Sequence, residues 1–489
     1  MRFPTSGFIA LASLFAMSTT ASTSGTPLDS LIIGGGFSGL YAAKTLTAAG
    51  KSYVVLEARN RTGGRVENGQ LAVGGYTEVG GEFFGPTQDY ALALAKEFNV
   101  PLFEAYNKGK NVYYFNGKRA LASSTSIFGQ AIPNIDLISL AQILAAQSSI
   151  NDMASKINVQ TPWNTSAKTT AWDQQTFGAW LDARGLTKTA RAVLDTATTS
   201  LFSVTPENVS LLFAISYIAA AGDAKNKGTF DRITSTAGGG QNFRVVGGTQ
   251  ILATKLADEL GSEHIVLNSA VQSVIKGQDG TYSVKTREGK TYSAKHIIVA
   301  MSPPVAAKIE FSPALSDDRV QLQQRTKMGN IGKAIATYKE PFWRKAGLSG
   351  QAISGSGTVR ATFDQSLHDG SVYGLMGFIE ADEMKQLDGA SDQQIIELVT
   401  KDFVNYFGSQ AANATSWLIK RWDSEEFSLG GPTALFQQTG VFSKYGPALR
   451  APVGNVHFAG TESSDYWTGY IDGALRAGER AAKEVIAAL

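Results

Sequence analysis

Leu31 to Leu40 read LIIGGGFSGL, an apolar strand running straight into Gly34-x-Gly36-x-x-Gly39. The next apolar run, SYVVLEAR, reaches an acid, Glu57, 18 residues after Gly39. The glycines differ in purpose. The first permits a tight strand-to-helix turn, and the second lets the backbone approach a pyrophosphate. The third lets helix and strand pack closely. The pyrophosphate then lies over free N–H groups at the start of a helix expected over 40–49, where the dipole favours negative charge. Glu57 stands where a carboxylate accepts both hydroxyls of an adenosine ribose. These residues describe a dinucleotide site.

The remaining composition narrows the class. At 489 residues the chain has room for two or three domain-sized cores. It is 43% apolar and 18% charged, an ordinary globular balance, and its net charge of +2 makes no case for nucleic acid or an anionic membrane. Cysteine is absent, which removes disulfides, thiol nucleophiles and metal–thiolate sites. No metal is expected.

Met1-Arg2 leads into an apolar stretch, Gly7 to Met17, and then the small-residue tract STTASTSGT. That is the layout of a secretory signal peptide, taken as 1–22, with an apolar core too short to span a bilayer. Thr19-Thr20-Ala21 and Ala16-Met17-Ser18 are alternative cleavage motifs. Sequons at Asn164, Asn208 and Asn413 fit a secreted glycoprotein, while a fourth at Asn60 is expected to be inaccessible beside the cofactor.

Beyond the first strand–helix–strand unit, helical patterns occur at Thr176–Arg184 and Val209–Ala221. A glycine-rich region, Thr236–Thr249, precedes a helix at 251–260. Strand-like runs at 264–267, 281–286 and 296–301 suggest a small antiparallel sheet. The chain closes with NVHFAGTE and a helix, Gly473–Leu489, with no membrane anchor expected beyond it. The expected class is α/β. The cofactor motifs are scattered, which predicts a discontinuous nucleotide lobe (28–101, 234–297 and 426–489) interleaved with a substrate lobe (102–233 and 298–425).

Six motifs together carry a family resemblance: IIGGGFSGLYAAKTL, LEARNRTGGRV (56–66), VGGEFFGPTQ (79–88), GGGQNFRVVGG (238–248), SPPVAAKIEF (302–311) and HFAGTESSDYWTGYIDGALRAGERAA (457–482). The chain resembles the flavin-containing amine oxidases, the monoamine oxidase group. The resemblance implies FAD in a two-lobed fold, with a Rossmann-like FAD-binding lobe and a mixed sheet-and-helix substrate lobe. It implies that Glu57 binds ribose, and that Arg59 and Arg65 offset phosphate charge beside Gly64. Gly80 and Gly81 would pass close to the flavin ring, and Val271 would pair with adenine through its backbone. Glu462 would sit near the ribityl–phosphate region, with Ile471 offering an N–H to the pyrimidine edge. The same motifs bring Phe37, Ser38, Ala58, Glu82 and Gly460 to the cofactor, and the resemblance adds Trp422. Lys308, in PPVAAKIEF, matches a family lysine that holds a water against the reactive flavin nitrogen and, kept charged, would favour the reduced ring.

Two departures stand out. The family's covalently linked members attach flavin through a cysteine; Pro432 occupies that position, so FAD should be non-covalent. Of two facing tyrosines that steer the amine, Tyr470 falls on one wall and Thr433 on the other. Phe436, Phe83, Trp422 or Trp467 could supply a second surface, to which cation–π attraction contributes on the order of 0.5–2 kcal/mol.

The implied chemistry is hydride removal from the α-carbon of an amine. The imine hydrolyses to an aldehyde or ketone and ammonia or an amine, and oxygen reoxidises the flavin to give hydrogen peroxide. An alkyl ammonium has a pKa of about 10.4, so freeing its lone pair near pH 7.4 costs roughly 4 kcal/mol, which an apolar pocket lowers. The implied partners are a small amine and oxygen, and a homodimer is allowed. Other readings are an L-amino-acid oxidase, although GGEFFGPTQ holds no arginine for a substrate carboxylate, or a flavin enzyme desaturating a C–C or C–N bond of a non-amine. A non-catalytic flavin scaffold is the third.

Overall fold

A computed structural model describes residues 26–122 and 135–489; the expected leader, 1–22, lies outside them. Strand β1 (Leu28–Ile33) and strand β2 (Tyr53–Leu56) flank helix α1 (Phe37–Ala48). β1 pairs in parallel with β2 and with Thr291–Val299, so Ile33 lies between Leu56 and Val299. Its continuous apolar run suits a strand covered on both faces, and Leu31 and Ile32 are fully buried. α1 starts three residues earlier than expected because Gly36 is its N-cap, which puts Phe37 and Ser38 in the first turn.

The later strands join this same sheet of eight. Tyr282–Thr286 pairs antiparallel with Thr291–Val299, as expected, and with Val271–Lys276, a strand that sequence reasoning did not include in the sheet. The run at 264–267 shortens to Ile265–Val266 and pairs in parallel with β2, not antiparallel. Two apolar residues are too few for a meander strand but enough to cover the β2 edge. Val456–Phe458, from the closing motif, adds in parallel to Thr291–Val299. The expected lobe boundary at 298 falls inside that strand, and Glu310–Ser312 also belongs to the sheet through Ser273. The closing helix, Ile471–Ala488, packs against α1.

A seven-stranded sheet forms the second layer, in the order 416–421, 331–338, 373–380, 361–364, 348–354, 110–115 and 118–122. The helical patterns condense to Phe177–Asp182 and Leu211–Ala219, each capped by a hydroxyl, Thr176 and Ser210, accepting a backbone N–H. Leu211–Ala219 is buried throughout. Leu102–Glu104 pairs antiparallel with Phe243–Val245, tying the layers together. Among the described residues, no helix is long and apolar enough to cross a membrane.

Candidate active site

A cavity of about 350 Å³ runs from the ends of β1 and β2 to the face of the seven-stranded sheet. The glycine loop forms its middle. A Cβ on Gly39 would collide with the Gly34 carbonyl, so that glycine serves helix–strand packing and stands off the wall. Gly36 is different. A Cβ there would meet nothing nearer than the Gly64 Cα at 3.8 Å, and Gly36 lines the cavity. Gly64, at φ +61°, faces it from the RTGGR turn, and Gly63 N–H donates to the Gly35 carbonyl at 3.0 Å. α1 has neither a side-chain cap nor an acid in its first turn. Its N-terminal N–H groups therefore open onto a slot bounded by two glycines, a ready anion cradle. The Ser38 hydroxyl accepts from Gly460 N–H at 2.8 Å and fixes the closing motif to this loop.

At one end lies Glu57, buried in the wall. Its carboxylate accepts Gly35 N–H at 2.6 Å and Arg59 N–H at 2.9 Å, which leaves lone pairs free for hydroxyls. Ala58 and the backbone edge at Val271 share that end. Arg59 lies here too, rather than beside the glycine slot: it donates to Ser428 at 2.8 Å and approaches Glu57 at 3.9 Å, while its buried Nε has no partner. Arg65 donates to both Glu462 oxygens, at 2.6 and 3.2 Å, and to the Pro432 carbonyl. Both arginine charges are thus already opposed by carboxylates. Glu462 stands behind the wall as the partner of Arg65. Burial pushes its pKa up, but the guanidinium's charge and hydrogen bonds outweigh this and hold it low.

Lys308 belongs to the Glu57 end. It is exposed, and its ammonium donates to the Glu426 carbonyl at 3.3 Å, in a group with Arg287 and Phe427. The lysine at the opposite end is Lys333, only 4% exposed. Its three donors go to the Gly80 carbonyl at 2.7 Å, Glu82 Oε1 at 2.7 Å and the Glu78 carbonyl at 3.2 Å. Sequence reasoning missed it, although it is the one charge within the buried strand IGKAIATY. Gly80 is glycine because a Cβ would collide with the Arg65 carbonyl; Gly81 has ordinary room beside Val66 and Ile471. Both glycines line the cavity.

Around Lys333 the wall is aromatic. Trp422 donates from Nε1 to the Val79 carbonyl at 2.7 Å, and Phe83, Phe363 and Phe378 form a chain of rings 5.3 and 5.9 Å apart. Tyr470 caps the closing helix, with Ile471 presenting the first helical N–H. Trp467 packs edge-on behind Tyr470 at 4.9 Å, and the second aromatic neighbour of Tyr470 is Tyr217, at 6.0 Å. Burial holds both tyrosine hydroxyls far above their ordinary pKa, hence neutral. Thr433 does not face Tyr470: fully buried, its hydroxyl turns to Glu462 at 3.3 Å. Phe436 lies in the core against Phe213 and Phe442. Phe83 and Trp422 are therefore the expected surfaces that reach the cavity, and Tyr217 is an unexpected one.

The family model for flavin containing amine oxidoreductases matches residues 37–486. The chain belongs to that family. A Mycobacterium tuberculosis protein named as a flavin-containing monoamine oxidase, AofH, is 37% identical over 462 residues, covering 94% of this chain and 97% of its own length. The flavin-containing amine oxidase of Oncorhynchus mykiss is 35% identical, covering 95% and 87%. The structure of cyclohexylamine oxidase from Brevibacterium oxydans superposes with a TM-score of 0.86 at 29% identity, over 95% of this chain and 99% of that one. This flavin amine oxidase uses FAD to oxidise an amine.

The cavity of this amine oxidase fits FAD on its own evidence. The Gly36–Gly64 slot accepts a pyrophosphate, the free lone pairs of Glu57 accept a ribose, and the Arg59 Nε is a buried donor without a partner. With no cysteine in the chain, no thioether can form and FAD is held non-covalently.

Proposed function

We propose that this flavin amine oxidase is an exported enzyme whose reaction end is built by Lys333, Trp422, Tyr217 and Tyr470. The observation that carries the assignment is Lys333, a buried ammonium fixed by three oxygens inside an aromatic wall. When bound, FAD supplies the hydride acceptor and passes its electrons to oxygen, giving hydrogen peroxide. The remaining work belongs to the chain. Phe83, Phe363, Phe378 and Trp422 exclude water, which favours the neutral amine over its ammonium form. Neutral Tyr217 and Tyr470 add hydrogen-bonding hydroxyls without adding charge. Lys333 holds a positive charge at a fixed place, which favours negative charge arriving at that end. Glu57 and Val271 would hold the adenosine, Gly36, Gly64 and the α1 N-terminus the pyrophosphate, and Ile471 the pyrimidine edge.

No cation at the reaction end is left free for a substrate carboxylate among the described residues, since Lys333 is committed to Glu82. That favours an amine over an amino acid. The lobe division proposed is a nucleotide lobe of 28–101, 234–312 and 426–489 and a substrate lobe of 102–233 and 313–425. The shift of the 298 boundary rests on the strand 291–299 and on Glu310–Ser312 pairing with the first sheet. Export draws on the leader pattern and on the exposure of Asn164, Asn208 and Asn413; Asn60 is exposed as well, contrary to expectation. The homodimer reading draws on Leu137 and Ile138, exposed at 82% and 66% on one helix, and is tested by light scattering.

The deciding experiment is a visible spectrum of the purified protein, taken before and after anaerobic addition of amines. Flavin bands that bleach with an amine and return in air are expected, as is full release of flavin into the supernatant on acid precipitation. Flavin untouched by every amine would overturn the assignment, and secretion is read separately from the mature N-terminus and glycan mass.

A further inference from the structure

Glu380 is a carboxyl in the cavity wall that the mechanism above does not use. The register fixes its position. Lys333 lies opposite Phe378 and Ile331 opposite Glu380, on antiparallel strands 331–338 and 373–380. Side chains two residues apart share a face, so Lys333, Phe378, Ile331 and Glu380 all present to the cavity. Lys333 and Glu380 are diagonal neighbours, with backbones about 7–8 Å apart. The carboxyl is 3% exposed. Its contacts are weak: the Ser200 and Ser203 hydroxyls donate to Oε2 and Oε1 at 3.3 Å each. No salt bridge reaches it among the described residues, and the nearby Arg360 is paired with Glu383.

A buried acid without a cation is costly, and its surroundings are strained as well. Ser203 and Ala381 both adopt left-handed backbone at φ +53° and are stitched through Asn330, whose N–H donates to the Ser203 carbonyl and whose carbonyl accepts from Ala381, each at 2.9 Å. Such strain persists where the surroundings fix it, characteristically at functional sites. Burial holds the Glu380 carboxyl up to about 8, so near neutral pH it is poised to ionise when a cation arrives.

We propose that Glu380 anchors a second ammonium, so that the substrate class is amines carrying another positive charge at the far end of a short aliphatic chain. The assignment rests on the amine-oxidase reading for where the reacting amine lies. The reacting nitrogen enters neutral at the aromatic wall, while the distal nitrogen stays charged against Glu380, whose proton leaves to solvent.

The test compares putrescine with n-pentylamine, which replaces the distal ammonium by a methyl, in wild-type holoenzyme and in Glu380→Gln and Glu380→Leu. Wild type should favour putrescine in kcat/KM by at least tenfold. Both variants should lose that preference, through KM for putrescine, while kcat for pentylamine stays within a few-fold. A second arm measures calorimetric binding of diguanidinobutane, a dication with no primary amine to oxidise, which should weaken at least tenfold in both variants. An unchanged putrescine-to-pentylamine ratio or unchanged dication binding would overturn the proposal and leave Glu380 a structural acid. Turnover of neither amine, with dication binding still sensitive to Glu380, would sink the oxidase reading alone.

Discussion

Two lysines line the same cavity, and their environments separate their roles. Lys333 has all three donors bound inside the protein, whereas Lys308 is exposed with one long contact at 3.3 Å. Removing a fixed charge from a water-poor site costs far more than removing one from solvent. Lys333→Met should therefore lower kcat for amine oxidation by about 100-fold, with flavin content retained. Lys308→Met should stay within about twofold, because an exposed charge is screened. Stopped-flow reduction and reoxidation of the two variants would show it, and the reverse ranking would return the role to Lys308. Glu380 gives a second residue-scale prediction. Its folded pKa of about 8 exceeds the ordinary 4.5, so between those values the unfolded chain has lost a proton that the folded one keeps. Stability attributable to this group therefore falls as pH rises through that window, by roughly 1.4 kcal/mol per unit. It is flat below the window and fully lost above it. In Glu380→Gln that slope should vanish, so the variant should gain on wild type in melting temperature between about pH 5.5 and about pH 7.5. Parallel pH profiles would refute a raised pKa.

At the scale of the element, the strand–loop–helix unit at Leu28–Ala48 contains two glycines with opposite reasons to be glycine. A side chain at Gly39 would meet the Gly34 carbonyl, whereas one at Gly36, on the cavity wall, would meet nothing nearer than the Gly64 Cα at 3.8 Å. Gly39→Ala should thus lower the melting temperature of the flavin-free protein by several degrees, because helix and strand must part. Gly36→Ala should leave that temperature nearly unchanged yet reduce FAD affinity by about tenfold or more. Flavin titration beside differential scanning calorimetry separates the two. This unit is legible from sequence because its geometry is local: turn, helix start and closing acid lie within one stretch. Lys333 is not legible, since its place depends on pairing with Tyr373–Glu380, some forty residues later along the chain. The same limit explains Ile265–Val266: two apolar residues carry no period, and only β2 decides their direction. Tyr217 is, in sequence, one residue of a helical pattern; nothing local says that Tyr470 will stand beside it.

Over the whole molecule, the motif VGGEFF, the glycine-rich region and the second sheet meet in one buried network. Arg244 donates to Glu78 at 2.6 Å and lies 3.6 Å from Glu82, Gln365 donates to both acids at 3.1 and 2.6 Å, and Lys333 closes on Glu82. Arg244, Glu78 and Glu82 are each at most 2% exposed. Burial drives the Glu78 pKa up despite the guanidinium beside it, so the pair depends on Arg244 to remain ionised. Removing one partner from a buried ion pair costs about 3–5 kcal/mol, since the other is left uncompensated. The loss is shared between the layers, because Arg244 belongs to the strand that joins them and Lys333 to the sheet behind the reaction end. Arg244→Met should therefore lower the melting temperature of both flavin-free and loaded protein, and by more in the loaded protein. Ligand bound only by the folded state adds about 2.7 kcal/mol at a hundredfold excess over Kd. The variant should also need more FAD for the same gain, as the Gly80–Glu82 segment of the cavity wall, no longer held by Arg244, shifts. Melting curves across an FAD series would decide the matter: an equal shift at every concentration would confine Arg244 to the fold, and a concentration-dependent deficit would tie the network to the cofactor.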